Sequence, residues 1–416
     1  MTVLRGRVVT PTGVLDDGVV LLDGDRIALV ADLTTPAGRG AAEAALAAAG
    51  EALPDPDGGL VLPGLVDLHC HGGGGASFPD ATDADEALRA VAEHRRHGTT
   101  TLVASLVTAA PHTLRERVAL LADLADAGQV AGIHLEGPFL STVRCGAQDP
   151  ALIALPDVEL TEELLALARG HLVSMTLAPE HAGNLDVAAR LVAGGALPSW
   201  GHTDAGPEET RGALAASAAL LAGGGRSPRA TVTHLFNGMH PWHHREPGPV
   251  GEFLAAARRG SAVVELIGDG THLHPALVRE VHELVGREGA VLVTDAMAAA
   301  GMADGSYRLG SQDVTVSGGV ARLTDGGAIA GGTAHLLDVV RTTVAGGVPL
   351  ADAVHMASAG PAAVLGADDV GALEAGRRAD VLVTDADLRP LRVLRGGVEV
   401  PLPQTPAPPT DERPAT

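Results

Sequence analysis

His69 and His71 stand two residues apart at the end of the apolar run LVLPGLVDLHCH (60–71). In an extended chain alternate side chains share a face, so this pair can present two imidazoles to one divalent cation. Alone, such a pair is as compatible with packing or chance as with metal binding. Glu136 ends the run VAGIHLEG (130–137), His202 follows LPSW in Gly201-His202-Thr203-Asp204, and His234 falls within ATVTHLFNGM (230–239). One glutamate and two histidines form a catalytic zinc set that leaves a coordination position open for water. Each of these residues taken singly reads equally as structural; their recurrence at matching points of successive runs points to a metal. Asp295 closes AVLVTDAM (290–297). Amide hydrolysis needs a base to take a proton from the activated water and an acid to return it to the leaving nitrogen. One carboxylate beside the metal can do both. The alternative for Asp295 is a cap on the segment that follows it.

These residues require elements that bring them to one place. Eight apolar runs begin at Leu60, Thr99, Val130, Leu172, Leu197, Ala230, Ala262 and Ala290, with helical patterns such as DADEALRAVAEHRRHG between them. Buried strands alternating with helices predict a (β/α)₈ TIM-like barrel of the α/β class, whose active sites lie at the C-terminal ends of the strands. Seven of the eight runs carry His, Glu or Asp near that end, and the fourth ends in Pro179-Glu180, to which no role is assigned. The chain before Leu60 reads as short strands with a turn at Asp23-Gly24, an alanine-rich stretch from Gly40 to Leu53 and a PDPDGG boundary. After the eighth run come an inserted hairpin, helices at about 333–345 and 350–364, and further strands. The expected organisation is a small β-sandwich domain from 1–59 and 365–400, a barrel over 60–364, and a proline-rich, disordered tail over 401–416.

Composition narrows the chemistry. All 29 basic residues are arginine, and no lysine occurs in the 416-residue chain. That excludes Schiff-base aldolases, pyridoxal-phosphate enzymes, Walker P-loops and any metal site bridged by a carbamylated lysine. A net charge of −22 argues against a nucleic-acid or anionic-membrane partner. MTVLRGRVVT lacks the apolar core of a signal peptide, and two cysteines, Cys70 and Cys145, make no disulfide framework. Reduced thiols in a cytoplasm are the expectation. His94 and His97 fall in a helical pattern and are expected at the surface, His134 in the barrel core, and His240, His243 and His244 in a proline-rich lid loop.

The segments HLEGPFL (134–140), GHTDA (201–205), THLFNGM (233–239), HHREPG (243–248), GDGTHLHP (268–275) and TDAM (294–297) together resemble the metal-dependent amidohydrolase superfamily, and within it the N-acetylglucosamine-6-phosphate deacetylase family. The likeness runs from GVVLLDGDRIALV to GALEAGRRADVLV. Superfamily branches that bridge two metals with a carbamylated lysine are ruled out by the missing lysine. The resemblance implies that Glu136, His202 and His234 hold the principal metal, with His69 and His71 available for a second ion sharing Glu136. One or two ions are therefore expected, zinc first, although such donors also accept iron, cobalt or manganese. Asp295 would be general base and acid in releasing acetate from N-acetylglucosamine 6-phosphate, in amino-sugar catabolism and cell-wall recycling. Asn237 and the Gly238 amide would meet the phosphate, Arg245 would fork it, and His272 would hold a sugar hydroxyl or the carbonyl. The family often carries alanine where this chain has Gly238, a difference expected to be harmless. Arg245 or His272 would reach across the interface of a homodimer. The family commonly shows Gly-Ala-His after its EGPF segment; this chain reads Gly146-Ala147-Gln148, and Gln148 can hydrogen-bond substrate but cannot become cationic. An aminoacylase-like amidohydrolase would leave THLFNGM, HHREPG and GDGTH unexplained, and a non-catalytic binding barrel would have damaged ligands, which this chain does not.

Overall fold

The computed structural model describes residues 1–55 and 59–402. Eight parallel strands follow one another in chain order through one sheet: Leu65–Cys70, Thr99–Leu106, Gly132–Leu135, Leu172–Leu177, Leu197–Trp200, Ala230–Val232, Ala262–Leu266 and Ala290–Leu292. Every residue in them is buried, because helices cover the outside and packed side chains fill the inside. The two ends of the sheet meet. Beyond Leu292 the chain runs beside the first strand, with Asp295 N donating to His69 O at 2.9 Å and His71 N to Ala296 O at 2.7 Å. The eight apolar runs thus form the expected (β/α)₈ barrel.

The covering helices carry ordinary start signals. Asp83 accepts a bond from Glu86 N at the head of Ala84–Arg96, and prolines open Pro111–Asp126, Pro207–Leu221 and Pro275–Val285. The helical stretch expected at 350–364 is two helices, Leu350–Met356 and Ala359–Leu365. Pro361 has no N–H to offer the carbonyl of Ala357, and that carbonyl accepts instead from Val66 N at 2.9 Å.

The terminal segments form one seven-stranded mixed sheet, ordered 398–399, 390–395, 381–384, 60–63, 2–10, 13–23 and 26–32. Leu60–Pro63, the start of the first apolar run, belongs to this sheet, and the barrel strand begins after Gly64. Both faces of Gly13–Asp23 are covered. Val20 and Leu22 pack with Leu4, Val8 and Ile27, while Val19 and Leu21 pack against Ala42 and Leu46 of the alanine-rich helix Pro36–Ala49. Of the expected PDPDGG boundary and terminal tail, residues 56–58 and 403–416 lie outside the described residues. The inserted hairpin is three antiparallel strands, Gly305–Leu309, Gln312–Ser317 and Val320–Leu323, beside the barrel mouth. No helix among the described residues is long and apolar enough to cross a membrane.

Candidate metal centre

His71 immediately follows the first barrel strand and Glu136 the third, while His202, His234 and Asp295 lie just past the fifth, sixth and eighth. His202, His234 and Asp295 have left-handed backbones, with φ of 46°, 27° and 48°. That conformation costs a non-glycine residue about 1–2 kcal/mol, and such strain concentrates where a site over-determines the chain.

Glu136 joins two groups of donors. Its Oε1 lies 2.7 Å from His202 Nε2 and 2.8 Å from His234 Nε2, nitrogens that are 3.1 Å apart. Its Oε2 lies 3.0 Å from His71 Nε2 and 3.6 Å from His69 Nε2, which are themselves 3.0 Å apart. Asp295 Oδ1 faces the second group, 3.2 Å from His71 Nε2 and 3.4 Å from His69 Nε2.

The outer nitrogens decide what the inner ones can be. His202 Nδ1 is 2.8 Å from the carbonyl of Arg144, and His71 Nδ1 is 3.2 Å from that of Ser105. A carbonyl only accepts, so each ring keeps its proton on Nδ1 and turns an Nε2 lone pair toward Glu136. Lone pairs facing carboxylate oxygens and one another in a buried pocket require protons or a cation between them. Without a cation, protons fill that role. Burial opposes charge on His69, His71 and His202, but the facing carboxylates outweigh it and raise all three pKa values. Burial likewise pushes Glu136 up, and the surrounding imidazoles pull it well below the usual carboxylate range. The donor sets Glu136/His202/His234 and His69/His71/Glu136/Asp295 therefore fit divalent cations, with Glu136 common to both.

A cavity of about 250 Å³ opens on this centre, and Gln148, Asn237, Gly238, His272, Leu309 and Ile329 are among the residues lining it. Gln148 is more constrained than a loop residue would be. Its Oε1 accepts from Thr108 N at 2.8 Å and its Nε2 donates to Glu136 Oε2 at 2.8 Å. His272 Nδ1 donates to Asp269 Oδ2 at 2.8 Å; burial disfavours its charged form, but Asp269 outweighs that and raises its pKa. Gly238 has φ 58°, and a Cβ there would lie 2.8 Å from His202 Nδ1, so in this chain alanine would press on a proposed ligand. Arg245 sits in the exposed stretch 241–246 of the loop 240–248 and is not among the residues lining the cavity of its own chain.

Other expectations are met or corrected. His134 is buried between Ser105 Oγ and Thr176 Oγ1, as expected of a core histidine. His94, expected at the surface, is fully buried and donates through Nε2 to the carbonyl of Gly72 at 2.8 Å; His97 is half-buried. The reason is that the loop after His71 folds back on the helix. Cys70 is buried, Cys145 is part-exposed, and both are free. Glu180, left without a role by sequence, accepts from Thr203 Oγ1 at 2.5 Å and Asp204 N at 2.8 Å, holding the segment that carries His202. Glu265 was missed altogether. It lies 3.2 Å from His69 Nδ1, and its signal was a lone acid inside the apolar run AVVEL.

The amidohydrolase family model matches residues 60–189 and 239–407. The chain belongs to that family. It is 38% identical over 339 residues to N-acetylgalactosamine-6-phosphate deacetylase of Escherichia coli O157:H7, covering 80% of this chain and 85% of that one. It is 33% identical over 361 residues to N-acetylglucosamine-6-phosphate deacetylase of Bacillus subtilis (strain 168), covering 82% and 85%. A Mycobacterium smegmatis N-acetyl-D-glucosamine-6-phosphate deacetylase, solved as a mutant in complex with N-acetyl-D-glucosamine-6-phosphate, superposes with a TM-score of 0.85 at 42% identity over 96% of this chain and 99% of that one.

Proposed function

We propose that this amidohydrolase removes the acetyl group from N-acetyl-D-glucosamine 6-phosphate, giving D-glucosamine 6-phosphate and acetate. One observation carries the reading: a Glu136/His202/His234 donor set with Asp295 across from it, at the mouth of a cavity also lined by Asn237, Gly238 and His272. A divalent cation held there supplies Lewis-acid polarisation of the acetamide carbonyl and lowers the pKa of a water. Asp295 takes the proton of the attacking water and returns it to the leaving nitrogen. His272, fixed by Asp269, meets a sugar hydroxyl or the carbonyl. Asn237 and the Gly238 amide meet the phosphate, and Gln148 adds a neutral donor beside Glu136. Arg245, exposed in its own chain, serves the phosphate of a partner's site in a homodimer. Zinc as the resident cation and a cytoplasmic location complete the proposal, the latter in keeping with two free cysteines.

The test is acetate release from the phosphorylated sugar, its unphosphorylated counterpart and the galactosamine epimer. Rapid turnover of the first and poor turnover of the second are expected. Equal turnover of both would remove the phosphate assignment. A kcat/KM for the epimer more than about tenfold higher, a difference of roughly 1.4 kcal/mol, would move the sugar assignment to the substrate in the name of the Escherichia coli relative.

A further inference from the structure

Glu265 is a buried carboxylate that the proposed reaction does not use. It lies within the seventh barrel strand, Ala262–Leu266, and is 3% exposed. Its Oε2 is 3.2 Å from His69 Nδ1 and accepts from His234 N, also at 3.2 Å, while its main-chain carbonyl accepts from Leu235 N at 2.8 Å. One residue thus holds a ring of the His69/His71 half and the strained backbone of the Glu136/His202/His234 half.

The outer nitrogens of the four inward-facing histidines are not treated alike. His71 and His202 meet neutral carbonyls, and His234 Nδ1 has no hydrogen-bond partner among the described residues. His69 alone meets a carboxylate. A buried carboxylate is costly when a neutral acceptor would satisfy the same N–H. What the charge adds is a stronger pull on the Nδ1 proton, which makes Nε2 a better electron-pair donor and fixes the ring's direction.

We propose that Glu265 is a positioning residue that locks His69 with its proton on Nδ1 and strengthens its Nε2 as a cation ligand, so that it governs filling of the His69/His71 half. The inference rests on the reading of that half as a cation site. Chelator-stripped full-length protein is titrated with Co²⁺, following visible absorption and competition with a chromogenic chelator, for the native chain, Glu265→Gln, His69→Ala and the double variant. The native protein should take up two equivalents. Glu265→Gln should weaken the equivalent lost in His69→Ala by about 10–100-fold, leave the other within about threefold, and do nothing further in the His69→Ala background. Glu265→Asp keeps the charge but withdraws the oxygen from both His69 Nδ1 and His234 N; it should weaken the equivalent lost in His69→Ala by at least about tenfold more than the other, and it decides the matter if the glutamine variant does not fold. Two undiminished equivalents in Glu265→Gln overturn the inference alone. Equal weakening of both, persisting in the His69→Ala background, overturns it in favour of a merely structural role. A single native equivalent that His69→Ala leaves unchanged overturns the second cation site and the inference with it.

Discussion

A carboxylate that is to accept a proton at neutral pH must stay ionised in a pocket that disfavours charge. Burial pushes the pKa of Asp295 up, but His69 and His71 more than offset it and hold the group below the usual range. Asp295→Asn keeps the shape and removes the proton acceptor. It should lower kcat by at least about 10²-fold, while elemental analysis still finds the cation proposed at Glu136, His202 and His234; near-native turnover would dismiss Asp295 as the base. The candidate site was legible at this scale because its proposed ligands and proposed base end apolar runs, where a buried ionisable group needs a reason. Glu265 was not, because it lies between Val264 and Leu266 inside a run, and only the closed barrel brings it to His69. Gln148 was legible as a departure from the family, but not as the link between Thr108 N and Glu136, which depends on how its loop folds back.

Two supporting elements carry strain or burial that can be tested. The chain after the eighth strand is held between the first strand and the end of the inserted hairpin, with Gly332 N donating to Asp295 O at 2.6 Å and Met297 N to Gly332 O at 2.9 Å. A Cβ at Gly332 would overlap the carbonyl of Thr294, which no rotamer change relieves. Gly332→Ala should cost about 1–3 kcal/mol in stability. Through displacement of Asp295 it should also lower kcat by more than about tenfold. Gly40, with nothing near its would-be Cβ in helix Pro36–Ala49, is the control, and Gly40→Ala should be neutral or stabilising by up to about 1 kcal/mol. Equal melting temperatures and rates for the two variants would show the clamp to be unimportant. The second element is the loop after His71, supported by His94. Burial, with a smaller contribution from His335, pushes the His94 imidazole down to about 3. The unfolded chain protonates this group near 6.5 and the folded chain resists, so as pH falls through that interval the unfolded state binds more protons and stability drops. His94→Gln keeps a donor for Gly72 O and cannot titrate. Its deficit relative to native protein, measured by denaturant unfolding, should shrink between pH 7 and 4, and a constant deficit would mean that His94 is not held neutral. The polar end of this helix, HRRHG, read as solvent-facing because nothing in its pattern reveals that Gly72 returns to it.

For the whole molecule, electrostatics works against the proposed substrate. The chain has a net charge of −22, and the phosphorylated sugar is an anion, so the long-range field repels what the site must bind. With no lysine in the chain, the fixed positive charge near a phosphate must come from arginine or from a cation, acting at short range. Screening separates the two ranges. The Debye length falls from about 30 Å at 0.01 M salt to about 8 Å at 0.15 M, which removes the distant repulsion while leaving contacts of a few ångströms. The expected result is therefore opposite to electrostatic steering: kcat/KM for the phosphorylated sugar should rise by about twofold or more across that range, and kcat/KM for the neutral sugar should stay flat. If kcat/KM for the phosphorylated sugar falls instead, positive charge at the mouth outweighs the field of the whole chain. Arg245 of a partner's loop 240–248 would then be the first place to look, and Arg245→Ala should abolish the salt dependence.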